Sequence, residues 1–189
     1  MSTALILLAA GNSVRFGGNK LLYRIDGKTM LERAAETAAG SGITFAAVTG
    51  NNETAHIIRK FGAEAIINPH PERGISSSIK LGIMHFPNAD AFMFMVCDQP
   101  FLRPETLIRL ENEFRSSPKS IACLSCGNIR GNPVIFDSRY TGELMSLEGD
   151  TGGRSVIKKH PGELLTVGAP AAELTDIDYR PGSDKLPGK

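Results

Sequence analysis

Apolar residues in this chain gather in short runs, separated by segments in which they recur at helical spacing. Runs over residues 4–9, 44–48, 64–67, 91–96, 120–124 and 133–136 have the length and boundaries of buried β-strands. Between the early runs lie amphipathic segments. Over 29–39, Met30, Leu31, Ala34, Ala35 and Ala38 fall on one side of a helix that Gly40 and Gly42 would stop. Segments 54–61 and 76–86 read the same way, and 104–114 opens on Pro104, a residue suited to the first helical position. Strand–helix alternation of this kind predicts an α/β fold, a three-layer sandwich with a mostly parallel central sheet covered on both faces. Ligands of such sheets bind at the carboxyl ends of the strands. No Pro-, Gly- or Ser-rich linker or internal repeat interrupts the pattern, so residues 1–179 are expected to form a single domain, with 180–189 a loose tail.

Charge and cysteine content narrow the class. The 189 residues carry 21 Lys and Arg against 20 Asp and Glu, a balance that points to neither nucleic acid nor a membrane surface as partner. The first apolar run is too short to span a bilayer and follows no charged leader, so a soluble, cytoplasmic protein is expected. Three cysteines, an odd number, argue against a disulfide scaffold. Cys123 and Cys126 make a C-x-x-C pair, but in a predicted strand residues three apart face opposite sides, which favours core and loop thiols over a metal or redox site. Cys97 reads as a small core residue at a strand end. His56, His70, His85 and His160 are scattered without ligand spacing.

Two segments carry candidate chemistry. The first strand runs into a loop with Gly11, Gly17 and Gly18, along which Arg15 and Lys20 are spaced. Glycines let backbone N–H groups approach an anion closely, and two cations add what a polyphosphate needs; a plain surface turn is the alternative. The loop is neither a Walker motif, since Lys20 is followed by Leu21, nor a dinucleotide fingerprint, since position 13 is Ser. The second segment is the run Phe92-Met93-Phe94-Met95-Val96, ending in Cys97-Asp98-Gln99-Pro100. A carboxylate at the end of a buried strand caps a turn or faces a cleft, where Asp98 would serve as a magnesium ligand. Its partner would come from Thr175-Asp176-Ile177-Asp178, whose alternation suggests a short strand with both aspartates on one side. Elsewhere, Ser76 and Ser77 read as helix N-caps, and Asp150 as the cap of a helix from Thr151 onward, paired with Arg154.

The opening stretch resembles the signature L-A-[AG]-G-x-S-x-R-[MF]-G-x-x-K of the molybdenum cofactor nucleotidyltransferases, matching it at Leu8, Ala9, Ala10, Gly11, Ser13, Arg15, Phe16, Gly17 and Lys20. Further segments resemble this MobA-like family in the same order. They are Gly74-Ile75-Ser76-Ser77-Ser78 (G-x-S-x-S), Cys97-Asp98-Gln99-Pro100, Arg130-Gly131-Asn132-Pro133 and Gly149-Asp150-Thr151-Gly152-Gly153-Arg154. A late D-I-D-T-P motif is matched at Asp176-Ile177-Asp178 but departs at Tyr179-Arg180-Pro181.

The resemblance implies a Rossmann-like nucleotidyltransferase fold. It also implies a reaction in which CMP passes from CTP to the terminal phosphate of molybdenum-loaded molybdopterin with release of pyrophosphate. The family pattern places the nucleotide on Leu8, Ala9, Ala10, Gly11, Ser13, Arg15, Lys20, Ser76 and Ser78, and the acceptor on Asn132, Asp150 and Arg154. It places Mg2+, or Mn2+ in its stead, on Asp98 and Asp178, with Arg15, Lys20 and Asp98 catalytic. Ala10 aligns with the cytidylyl (MocA-like) members, which read L-A-A-G where guanylyl members read L-A-G-G. Guanylyl transfer to the same cofactor and transfer to another phosphorylated acceptor, such as a sugar or isoprenoid precursor, remain the rival enzymatic readings. The family further implies transient contact with molybdoenzymes or their chaperones. A non-catalytic partner role is disfavoured by the presence of both Lys20 and Asp98, and a nicotinamide oxidoreductase by the missing fingerprint.

Overall fold

The computed structural model describes residues 2–11, 16 and 18–178. A seven-stranded sheet in the order β5-β4-β1-β6-β8-β7-β9 forms its centre. The strands are β1 (Thr3–Ala9), β4 (Phe45–Thr49), β5 (Glu64–Ile67), β6 (Ala91–Val96), β7 (Ile121–Cys126), β8 (Ile129–Asp137) and β9 (Leu164–Gly168). A two-stranded ribbon, β2 (Arg24–Ile25) and β3 (Lys28–Thr29), stands apart. β1 pairs in parallel with both β4 and β6, whereas β8 runs antiparallel to β6 and β7. The α/β fold expected from the sequence is therefore present, with one reversed strand in an otherwise parallel sheet.

Alternation along β1 explains why it is central. Leu5, Leu7 and Ala9 enter one core, while Ala4 and Ile6 enter the other. β6 does the same, with Met93 and Met95 against Phe92 and Phe94. A strand apolar on both sides must be covered on both. The first core is closed by α1 (Met30–Gly40), α2 (Asn52–Arg59) and α4 (Pro104–Ser116) through Leu31, Ile58 and Leu107. α3 (Ile75–His85), α5 (Thr141–Met145) and α6 (Arg154–Lys159) close the second through Ile79, Leu144 and Ile157. α1 begins in a capping box: the Thr29 hydroxyl accepts from the Glu32 N–H at 3.1 Å, and the Glu32 carboxylate accepts from the Thr29 N–H at 2.7 Å.

Several local expectations are corrected. β9 and the β2–β3 ribbon are additional strands, the ribbon too short to leave a periodic signal. Residues 175–178 form no strand; the segment lies alongside the end of β6, and the Ile177 N–H donates to the Asp98 carbonyl at 3.0 Å. Neither Ser76 nor Ser77 caps α3. Gly74 holds the N-cap position, and the Ser77 hydroxyl instead donates back to the Gly74 carbonyl at 2.7 Å. Asp150 does not cap α6, whose N-cap is Gly153. The tail expected over 180–189 lies outside the described residues.

Gly74 joins two parts of the ligand-facing edge. It sits at φ +80°, and a Cβ there would stand 2.3 Å from the Gly149 carbonyl carbon. The Ser76 N–H donates to the Gly149 carbonyl at 3.2 Å, so the start of α3 is bonded to the loop before α6. Gly74→Ala is expected to lower unfolding free energy by about 2–4 kcal/mol, combining a left-handed backbone with a backbone clash. Gly152→Ala, whose Cβ meets only Ile75 at 3.9 Å, should cost under about 1 kcal/mol. Denaturant melts of the two variants would check the contrast.

Candidate functional site

The carboxyl ends of β1 and β6 lie side by side, since Leu8 pairs with Val96. Past β1, Ala10 and Gly11 begin the loop, and Phe16 returns to the interior, packing edge-on against Tyr23 at 5.3 Å. Ser13 and Arg15, expected to bind nucleotide, lie outside the described residues. The loop ends in a short 3-10 turn, Lys20–Leu22, which the Asn19 side chain caps by accepting from the Leu21 N–H at 3.1 Å. This turn aims Lys20 at the end of β6.

There, Lys20 Nζ donates to Asp98 Oδ2 at 3.2 Å and to Asp178 Oδ1 at 2.9 Å. Burial alone would lower the Lys20 pKa, but hydrogen bonds and attraction to Asp178 and Asp98 outweigh it and raise it. Asp98 Oδ1, by contrast, is buried with no hydrogen-bond partner among the described residues. A bare carboxylate oxygen costs free energy unless a cation or donor completes it. Asp176 lies close enough to feel the same charges: burial first, then Asp98, raise its pKa. Between the two aspartates proposed as partner to Asp98, Asp178 is thus the one that shares the Lys20 ammonium. The Cys97 thiol, fully buried, is pushed well above its usual range by desolvation and by Asp98.

Of these groups Lys20, Cys97 and Asp98 line a cleft of about 490 Å³, together with Leu8, Ala10, Gly11, Glu72, Gly74, Ser78 and Asp150. A second cleft, about 550 Å³, shares Leu8, Ile75 and Val96 as wall and is lined on its far side by Arg130, Asn132, Arg154 and Lys158. The structure thus brings Leu8, Ala10, Gly11, Lys20, Ser78 and Asp98 together in the first cleft, and Asn132 and Arg154 in the second. Four residues fall elsewhere, Asp178 among them, since it meets Lys20 without lining either cleft. Ala9 points into the opposite core, as alternation along β1 requires. Ser76 is buried off the cleft wall. Asp150 stands with the first cleft rather than beside Arg154.

Two residues escaped the sequence reading. Asn68, at the carboxyl end of β5, is 2% exposed and donates to the hydroxyls of Ser77 (2.8 Å) and Ser78 (3.1 Å). Gln99 is buried beside Asp176, its amide donating to the Leu174 carbonyl at 3.5 Å. The signals that marked them were position alone: Asn68 directly follows β5, and Gln99 stands in the Cys97-Asp98-Gln99-Pro100 segment after β6. Among the described residues, no cluster of three or more His, Cys, Asp or Glu forms a self-contained metal site, and no helix is long and apolar enough to cross a membrane.

The chain is similar to several characterised proteins. A probable molybdenum cofactor guanylyltransferase of Thermococcus gammatolerans is 31% identical over 122 residues, 62% of this chain and 59% of the relative. The match therefore spans about three-fifths of that relative's length. The purine catabolism protein PucB of Bacillus subtilis is 27% identical over 190 residues, covering 92% of this chain and 90% of PucB. Among solved structures, Rv0371c of Mycobacterium tuberculosis superposes with a TM-score of 0.81 over 95% of this chain and 93% of its own, at 24% identity, a likeness of fold. The model of the MobA-like NTP transferase domain matches residues 5–164, which contain the glycine loop, Lys20, Asp98 and both cleft walls, and the chain belongs to that family.

Proposed function

We propose that the chain is a nucleotidyltransferase that takes a nucleoside triphosphate in the first cleft and a phosphate-ended acceptor, molybdenum-loaded molybdopterin, in the second. The observation that carries this reading is the pair of clefts meeting across Leu8, Ile75 and Val96. One holds the Lys20 ammonium and the Asp98 carboxylate at the end of β6, and the other is rimmed by Arg130, Arg154 and Lys158. Basic groups around the second cleft suit an anionic acceptor, which near neutral pH carries its own nucleophilic oxygen and needs no general base.

The residues present suit a divalent cation. Asp98 offers an uncompensated buried oxygen, and Asp178 faces it across the Lys20 ammonium, which stands where a cation between two carboxylates would be held. Magnesium takes one or two protein carboxylates and completes its shell with phosphates and water, so a two-aspartate site suffices. Bound there, such an ion would neutralise phosphate oxygens and the departing pyrophosphate. Lys20, on a capped turn, would supply a fixed positive charge to the same oxygens. Among the described residues nothing lies within 4 Å of where a Gly11 Cβ would be, which suits a phosphate there. Ser78 and Ala10 would face the nucleoside.

CTP is the proposed donor, because Ala10 places a methyl group on the cleft wall, where guanylyl-type sequences carry glycine and a purine needs more room. The Thermococcus relative's name favours GTP as the second reading. Pyrophosphate release, measured with molybdenum-loaded molybdopterin and each nucleoside triphosphate in turn, tests both: release with CTP alone supports the first, release with GTP replaces it, and release with none removes the acceptor or the activity.

Three outcomes are expected. Lys20→Ala and Asp98→Asn should each lower turnover by about 10²–10³-fold, the scale of one lost charge-stabilising contact, with circular dichroism unchanged. Near-normal turnover in either folded variant would remove that residue from the chemistry. Ala10→Gly should shift the ratio of kcat/KM for GTP over CTP upward by about tenfold, the discrimination expected of about one methyl group in a pocket.

A further inference from the structure

Asn68 has a definite orientation. Its Oδ1 accepts from the His70 N–H at 2.9 Å, which leaves the amide nitrogen to face α3. Both of its hydrogens are used there, one on Ser77 Oγ at 2.8 Å and one on Ser78 Oγ at 3.1 Å. Ser77 has an acceptor for its own proton, the Gly74 carbonyl at 2.7 Å. Ser78 has none among the described residues, and it lines the first cleft. A hydroxyl has one proton and two lone pairs. With a lone pair taken by the Asn68 amide, the Ser78 proton is left for a ligand in the cleft.

From this we infer that Asn68 is a positioning residue of the nucleotide site, setting the Ser78 hydroxyl as a hydrogen-bond donor toward an acceptor atom of the bound nucleoside. The inference rests on the nucleotide reading of that cleft. Leu8 and Ala10 lie with Ser78 on the cleft wall, where Lys20 is the one cation among the described lining residues and Glu72, Asp98 and Asp150 are carboxylates. The group met by Ser78 is therefore a carbonyl oxygen or ring nitrogen of the base, or a ribose oxygen, rather than a phosphate. Asn68 makes no contact with the ligand; it acts by polarising and orienting the serine. The Asn68 N–H also donates to the Thr49 carbonyl at 2.8 Å, which fixes the backbone from which the amide reaches.

Aspartate at position 68 has nearly the same shape and still accepts from the His70 N–H, but it reverses the polarity. Its carboxylate accepts from Ser78, whose lone pairs then face the ligand. The test measures dissociation constants of CTP, GTP and inorganic tripolyphosphate by titration calorimetry. The proteins are wild type, Asn68→Asp, Ser78→Ala and the double variant. Ser78→Ala is expected to weaken the nucleotide that wild type prefers by about tenfold, the worth of one hydrogen bond, and Asn68→Asp by at least as much. Tripolyphosphate should bind all four proteins alike. In the double variant the losses should not add, because Asn68 acts only through the Ser78 hydroxyl.

Additive losses, or unchanged nucleotide affinity in Asn68→Asp, would overturn the inference while leaving the nucleotide site in place. Equal weakening of tripolyphosphate would overturn it by moving the Ser78 contact to the phosphates. Failure of the wild type to bind either nucleotide would remove the nucleotide reading and the inference with it. Should Asn68→Asp not fold, Asn68→Ala, which frees the hydroxyl to rotate, is expected to give a smaller loss that again vanishes on top of Ser78→Ala; a full additive loss there overturns the inference equally.

Discussion

One ammonium holds the ligand-facing edge together. Lys20 joins the loop after β1 to Asp98 at the end of β6, 78 positions away, and to Asp178, 158 positions away. The two pairings differ in weight. The Asp178 side chain is 61% exposed, so water screens it, whereas Asp98 is about half as exposed and has one oxygen sealed off entirely. The segment that brings Asp178 there is also held by its backbone, through the Ile177 N–H on the Asp98 carbonyl. The late segment is thus tied to the end of β6 twice, by a main-chain bond and by the ammonium that Asp98 and Asp178 share.

Around that ammonium the molecule divides its tasks by element. β1 and β6 supply rigid strand ends, and the glycine at position 74 lets α3 touch the loop before α6. Gly82 does the same on the inner side of α3, where a Cβ would stand 2.4 Å from Ile6. Close approach of this helix to the sheet places Ser78 at the cleft and Ile79 in the core from a single turn. The interior below is dense and apolar, which gives the polar edge above it a fixed floor.

Much of this was legible in the chain, for physical reasons that differ by element. β1 and β6 are apolar on both faces and could be nothing but central strands, and α1 declares its start through the Thr29 and Glu32 pair. Asp98 stood out because a carboxylate at the end of such a strand needs a reason. What stayed hidden was set by contacts distant in sequence. Residues 175–178 alternate like a strand but pair with no strand among the described residues, and the Ile177 N–H meets the Asp98 carbonyl past the end of β6. Asp150 looked like a helix cap because its spacing to Arg154 is right, yet the chain turns first and α6 starts from Gly153. Asn68 carried no motif, and its importance lies in which of its two side-chain atoms faces which neighbour.

The reversed strand has a consequence for how such a molecule can diversify. Because β8 runs against β6, its first residues, not its last, lie at the edge where β1 and β6 end. Arg130 and Asn132 reach the second cleft from the first residues of β8, next to the turn that joins it to β7, while most of the first cleft comes from segments that follow β1, β5 and β6. The turn between β7 and β8 can lengthen, shorten or change its side chains without moving any strand end that frames the first cleft. The two clefts thus share a wall at Leu8, Ile75 and Val96, yet Arg130 and Asn132 belong to the second alone, and that side is free to drift while the first is held.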